Sequence, residues 1–88
     1  MRVIIPSRRF ERDLKRMVRR GKDTAKLMEV VTKLQAGTPF EPHHRPHPLH
    51  GEWHSYWDCH IEPDWLLIYA VTDDAVHLMR TGTHADLF

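Results

Sequence analysis

Between His47 and Trp65 this 88-residue chain crowds together side chains that exchange protons near neutral pH. His47, His50, His54 and His60 alternate there with Trp53, Trp57 and Trp65 and with the carboxylates Glu52, Asp58, Glu62 and Asp64. Imidazoles with an ordinary pKa of about 6.5 serve equally as acids and bases. Three chemistries compete for such a set. Metal binding is invited by the chain's eight histidines. His43 and His47 are four apart, which aligns ligands only on a helix, and Pro42, Pro46 and Pro48 forbid a helix there. The expectation is therefore no metal and no cofactor. Nucleophilic catalysis would fall to Cys59, which lies between Asp58 and His60 in a strand. Alternation turns it away from both, so it reads as a small core residue.

The third chemistry is acid–base catalysis on RNA. RNA carries its own nucleophile in the 2′-hydroxyl. Cleavage asks for a base to take the 2′ proton, an acid for the leaving 5′ oxygen and a cation for the charge on the phosphorane. Arg80 is the only Arg or Lys after residue 45 and stands four residues before His84; it is a candidate phosphate clamp. Trp65 or Phe88 could hold an unstacked base. Taken singly, each histidine reads more readily as a solvent-exposed or hydrogen-bonded residue than as a catalyst.

The elements that must position these groups are legible from periodicity. Val3, Ile4 and Ile5 form a first short strand ended by Pro6. Ser7 can cap a helix whose apolar face is Phe10, Leu14, Met17 and Val18 and which stops at Gly21. Asp23 can cap a second helix with the stripe Leu27, Met28, Val31 and Leu34, closed by Gly37 and Pro39. A tight turn between the two predicts an antiparallel helical hairpin. Prolines keep residues 38–50 irregular. From Glu52 to about Ile61 a period of two predicts a strand, with a turn at Glu62-Pro63-Asp64. Trp65–Val71 is nearly all apolar and predicts a central strand; after Asp73-Asp74, Ala75–Met79 is the last. The expected fold is one α+β domain over residues 1–88: an N-terminal antiparallel helical hairpin on a mainly antiparallel, twisted sheet of four or five strands.

Composition narrows the setting. A single cysteine excludes an internal disulfide and a thiol-based zinc site, which favours a reducing compartment. The opening Met-Arg-Val-Ile-Ile-Pro reads as too short for a signal peptide and no apolar run reaches membrane length, so a soluble, cytoplasmic protein without a membrane partner is expected. The net charge of +1 conceals a polarity: residues 1–45 hold 12 of the 13 Lys and Arg against 5 acids, and residues 46–88 hold Arg80 against 7 acids. Arg8, Arg9, Arg12, Lys15, Arg16, Arg19 and Arg20 form a basic face that fits a polyanion or an acidic partner, or is simply the solvated side of a helix.

The residues also carry a resemblance. His47-Pro48-Leu49-x-Gly51-x-Trp53, the run Asp58-x-His60-Ile61-Glu62-Pro63-Asp64-Trp65-Leu66-Leu67-Ile68-Tyr69, and Arg80-Thr81-Gly82-Thr83-His84-x-x-Leu87-Phe88 resemble the YafQ branch of the RelE-type toxins, the ribonucleases of bacterial type II toxin–antitoxin systems. The resemblance spans the C-terminal half almost continuously. It implies a RelE-like fold and metal-independent cleavage of mRNA in the A site of the 70S ribosome. It also implies silencing by a cognate antitoxin, and contact with operator DNA only through that antitoxin. The family's catalytic set falls on His47, His60, Asp64 and His84, its aromatic positions on Trp65 and Phe88, and its arginine on Arg80. On this reading His84 is the general acid, Asp64 or His47 the base, and His60 and Arg80 hold the scissile phosphate. The basic helix residues would then contact ribosomal RNA. The chain ends at Phe88, where a relative carries one more residue, which would leave the terminal carboxylate on Phe88. His43, His44, His50 and His54 lie outside the family pattern and read as surface or RNA-facing residues. Competing readings are a non-catalytic RNA- or protein-binding module with a toxin-like fold, a His-rich metallohydrolase and a purely structural subunit.

Overall fold

The computed structural model describes residues 1–88. In chain order it runs β1 Val3–Pro6, α1 Arg8–Arg19, α2 Thr24–Ala36, a 3-10 turn Pro42–His44, β2 His47–Pro48, a second 3-10 turn Gly51–Trp53, β3 Trp57–Glu62, β4 Trp65–Val71, β5 Ala75–Gly82 and α3 His84–Leu87. The strands make one five-stranded sheet in the order β1-β5-β4-β3-β2. Only the β1–β5 pair is parallel; the other pairs are antiparallel. The parallel pair follows from the route of the chain, because α1 and α2 carry it away from β1 before the later strands form.

Local chemistry sets the helix ends. Ser7 Oγ accepts the Phe10 amide at 3.0 Å and caps α1, and the Asp23 carboxylate accepts the Ala25 amide at 2.9 Å and caps α2. Gly37 ends α2 at φ +73°, a left-handed conformation that favours glycine. Between the helices and the sheet lies one core: Phe10 and Met17 of α1 and Leu27, Val30, Val31 and Leu34 of α2 pack with Cys59, Ile61, Trp65, Leu67, Tyr69, Val76 and Leu78 of the sheet. Each large apolar side chain so buried contributes roughly 1.5–3 kcal/mol.

Several expectations are corrected. Met28 is 55% exposed and Val18 49% exposed, whereas Val30 is fully buried. The inward face of α2 is Leu27, Val30, Val31 and Leu34, an i, i+3, i+4, i+7 set, and Met28 falls on its flank. The strand expected from Glu52 begins at Trp57. Gly51 at φ +69° and Ser55 at φ +79° interrupt an extended path, so turn geometry overrides the alternation of side-chain types. The stretch expected to be irregular contributes a two-residue edge strand, β2. β5 runs three residues past Met79 to Gly82, and α3 has no counterpart among the expected elements.

Candidate active site

Strand register brings the candidate residues to one face. His47 lies across from Asp58, Asp58 across from Ile68 and Ile68 across from Arg80; His60 lies across from Leu66 and Leu66 across from Gly82. Residues directly opposite share a face. The intervening Cys59, Leu67 and Thr81 form their own cross-strand row on the other side, toward the helices. Asp64 sits in the turn after β3, and His84 opens α3 directly after β5.

His84 and Asp64 are joined twice. Asp64 Oδ1 accepts the His84 backbone amide at 2.9 Å and lies 2.6 Å from its ring Nδ1. These bonds from the His84 amide and ring hold the Asp64 carboxyl below the usual carboxylate range. With a carboxylate as partner, Nδ1 carries the proton and Nε2 faces outward. The His60 ring lies 5.7 Å from that of His84, centre to centre. Its Nδ1 is 3.2 Å from the Pro63 carbonyl oxygen, which can only accept, so His60 also presents Nε2.

On the other flank His47 Nδ1 is 2.9 Å from Asp58 Oδ1. The approach is close but poorly angled, and this buried oxygen has no aligned hydrogen-bond donor. Burial raises the Asp58 carboxyl above its ordinary value, while the nearby His47, His60 and His84 pull it back down. Asp58 thus contacts His47 and lies within the electrostatic reach of His60 and His84. In the sequence it stands inside a motif without an assigned role. The available signal was its position two residues before His60 and on the same strand face.

Three assignments change. Trp65 is fully buried and donates its indole N–H to Thr81 Oγ1 at 2.8 Å; it has no surface on which to stack a base and belongs to the core. Arg80 is not a free cation: Nε and Nη2 each bond Asp13 at 2.9 Å, leaving Nη1 as its open end. The same Asp13 accepts from Arg16 and from the Thr81 amide. Arg20 is bonded to Asp86, so Arg16 and Arg20 are both engaged inside the molecule. Arg8, Arg9, Arg12, Lys15 and Arg19 remain exposed, and Arg9, Arg12, Arg16, Arg19 and Arg80 line a polar depression of about 310 Å³ around Asp13. Phe88 is 64% exposed, as a base platform would need to be.

Of the extra histidines, His43, His50 and His54 are exposed. His44 is 1% exposed, which corrects its reading as a surface residue. Its Nδ1 accepts the Glu41 amide at 3.2 Å, and its ring lies 5.1 Å from that of Phe40. Cys59 is buried in the core, where burial raises its thiol far above the ordinary value. No three His, Cys, Asp or Glu side chains are grouped so as to hold a metal ion, and no helix is long and apolar enough to cross a membrane.

Comparison with known proteins places this geometry. The chain is 45% identical over 83 residues to the mRNA interferase toxin YafQ of Escherichia coli K12, covering 93% of this chain and 90% of that protein. The crystal structure of YafQ from E. coli strain BL21(DE3) superposes with a TM-score of 0.93 at 43% identity, over 100% of this chain and 99% of that one. In the E. coli DinJ-YafQ toxin–antitoxin complex, the matching chain gives a TM-score of 0.91 at 44% identity over 99% and 97% of the two chains. The family model for YafQ, a bacterial toxin of type II toxin–antitoxin systems, matches residues 2–88, and the chain belongs to that family.

Proposed function

We propose that this chain is an mRNA interferase: an endoribonuclease that enters the ribosomal A site, cuts the mRNA there without a metal, and so arrests translation and growth. The observation that carries the reading is the pairing of His84 with Asp64 at 2.6 Å beside the His60 ring, with His47 and Asp58 on the same sheet face. Such a group holds an acid, a base and a cationic partner within one surface, which is what 2′-hydroxyl attack on the adjacent phosphate requires.

In the proposed sequence His47 removes the proton from the 2′-hydroxyl, steadied by the Asp58 carboxylate. Asp64 is the weaker base, because its Oδ1 is occupied by His84 and its carboxyl is held low. The 2′ oxygen bonds to phosphorus and the bond from phosphorus to the 5′ oxygen breaks. His84 acts as the imidazolium: Asp64 holds its Nδ1–H, Nε2 gives its proton to that leaving oxygen, and the ring is left neutral with the proton on Nδ1. His60 Nε2 stabilises the charged oxygens, and Arg80, pinned on Asp13, adds its positive charge from the neighbouring strand. The products are a 2′,3′-cyclic phosphate and a 5′-hydroxyl, and the cyclic ester can open to a 3′-phosphate. Exposed Phe88 would steady an unstacked base. Arg8, Arg9, Arg12, Lys15 and Arg19 would meet ribosomal RNA.

The relatives supply the biological frame. The YafQ protein of E. coli K12 is named an mRNA interferase toxin, and a YafQ chain is held by DinJ in a toxin–antitoxin complex. We extend both to this chain: a cognate antitoxin silences it, and operator DNA is reached through that antitoxin. The test is to express the chain without an antitoxin in bacteria and map cut sites on translating mRNA. Cuts within A-site codons are expected, produced equally on purified ribosomes by chain that a chelator has first stripped of bound metal. Growth arrest without cut transcripts would point instead to a non-catalytic binding module.

A further inference from the structure

His84 stands on an element that cannot hold itself. α3 has four residues, and one helical turn fixes more backbone than its hydrogen bonds repay. Side chains must fix its direction. On one side, Asp64 accepts the His84 amide. On the other, Asp86 turns back across the end of β5. Its Oδ2 accepts the Thr83 amide at 2.9 Å and Arg20 Nη1 at 2.6 Å, and its Oδ1 accepts Arg20 Nη2 at 3.2 Å. Thr83 Oγ1 accepts the Asp86 amide at 3.1 Å in return, so the two residues form a capping box. Charge-assisted pairs of this two-pronged kind are directional as well as strong.

The backbone is shaped for this contact. A Cβ placed on Gly82 would stand 2.9 Å from Asp86 Cβ, closer than such atoms approach, and a tight 3.0 Å from Asp86 Oδ2. Glycine at 82 is what lets Asp86 fold over the strand end. The Asp86 carboxyl is only 15% exposed, and the Arg20 guanidinium and the Thr83 amide hold it far below the usual carboxylate range.

We infer that Asp86 and Arg20 form a clasp that positions His84 and Phe88, so that Arg20 serves the active site from the end of α1 rather than the RNA-contacting face. Asp86 is a positioning residue: it acts on the reaction through the direction of α3. The inference rests on the reading of His84 as the acid of an RNA-cleaving site. Misplacing a reacting group by about 1 Å can cost on the order of hundredfold in rate.

The experiment uses the purified chain on ribosomes programmed with mRNA. Single-turnover cleavage and ribosome affinity are measured separately, and hydrogen exchange of the His84 amide is read on the free protein. Asp86→Ala and Arg20→Ala are each expected to slow cleavage by about tenfold to hundredfold. Affinity should be unchanged, and the His84 amide should exchange faster. Asp86→Asn, which keeps an acceptor for Thr83 but loses the charge facing Arg20, should fall between. Weaker ribosome binding at an unchanged rate in Arg20→Ala would overturn the clasp, as would full rate and a protected His84 amide in Asp86→Ala. If Asp86→Ala does not fold, Asp86→Asn and Arg20→Ala decide by the same criteria. If the wild-type chain does not cleave, the catalytic reading itself fails, and amide exchange still judges the clasp.

Discussion

Asp58 and Asp64 each meet an imidazole of the site, His47 and His84, from different surroundings. Asp58 is 3% exposed and its Oδ1 lacks an aligned donor, so burial works against its charge. Asp64 stands in solvent with two bonds from His84, so its charge is favoured. One is built to respond to the charge of the histidines around it, the other to orient a single histidine through its Nδ1–H. Asp58→Asn should therefore slow single-turnover cleavage by roughly tenfold to hundredfold with little change in ribosome affinity; an unaltered rate would remove Asp58 from the site. His44 offers a second test at this scale. Burial lowers its pKa, so between pH 7 and 5 the unfolded chain takes up a proton at this position more readily than the folded one. The folded state should lose stability as pH falls through the ordinary histidine range. His44→Gln, which keeps an acceptor for the Glu41 amide, should flatten that part of a urea-midpoint profile against pH.

At the scale of elements, β4 is the beam on which the site rests. Its Trp65, Leu66, Leu67, Ile68 and Tyr69 are all buried, and both neighbouring strands that carry site residues pair with it. Trp65→Ala should cost about 3–5 kcal/mol, a large share of the roughly 5–15 kcal/mol that holds a domain together. Trp65→Phe keeps most of the bulk and mainly strips Thr81 Oγ1 of its indole donor, at about 1 kcal/mol. Urea denaturation should separate the two, and folded Trp65→Phe should cleave at close to the normal rate. A selective loss of cleavage in stable Trp65→Phe would restore a direct role for the indole.

The same elements explain what could be read in the chain. Trp65–Val71 was legible with its observed bounds, because a continuous apolar run needs both faces covered. Ser7 and Asp23 were legible as caps because capping is chemistry between near neighbours. β3 started five residues later than expected, because the left-handed backbone at Ser55 leaves no mark in the side-chain pattern. α3 is too short to show a period. The site's histidines stood out by type, but the pairs Arg80–Asp13 and Arg20–Asp86 span 67 and 66 residues. Nothing local in the sequence announces that the arginines are already engaged.

Across the whole molecule the charge polarity of the chain is partly consumed within the fold. Glu62 takes both Lys22 and Lys26 at 2.8 Å, Asp86 takes Arg20, and Asp13 takes Arg80 and Arg16. Arg8, Arg9, Arg12, Lys15 and Arg19 are left without an acidic partner. These are the cations that α1 offers to a phosphate backbone. Charge reversal at Arg9 and Arg12 together should weaken ribosome binding and lower the salt slope of that binding by roughly one for each phosphate no longer neutralised. An unchanged slope would show that another surface meets the RNA. The catalytic reading depends on His84 delivering a proton to the leaving oxygen. The direct measurement is single-turnover cleavage of mRNA on programmed ribosomes in Mg²⁺ buffer by chain stripped of bound metal with a chelator beforehand, comparing the wild-type chain with His84→Ala. The expected result is an A-site cut ending in a 2′,3′-cyclic phosphate, slowed by about 10²–10⁴-fold in the variant at unchanged ribosome affinity; a wild-type rate in His84→Ala would contradict it.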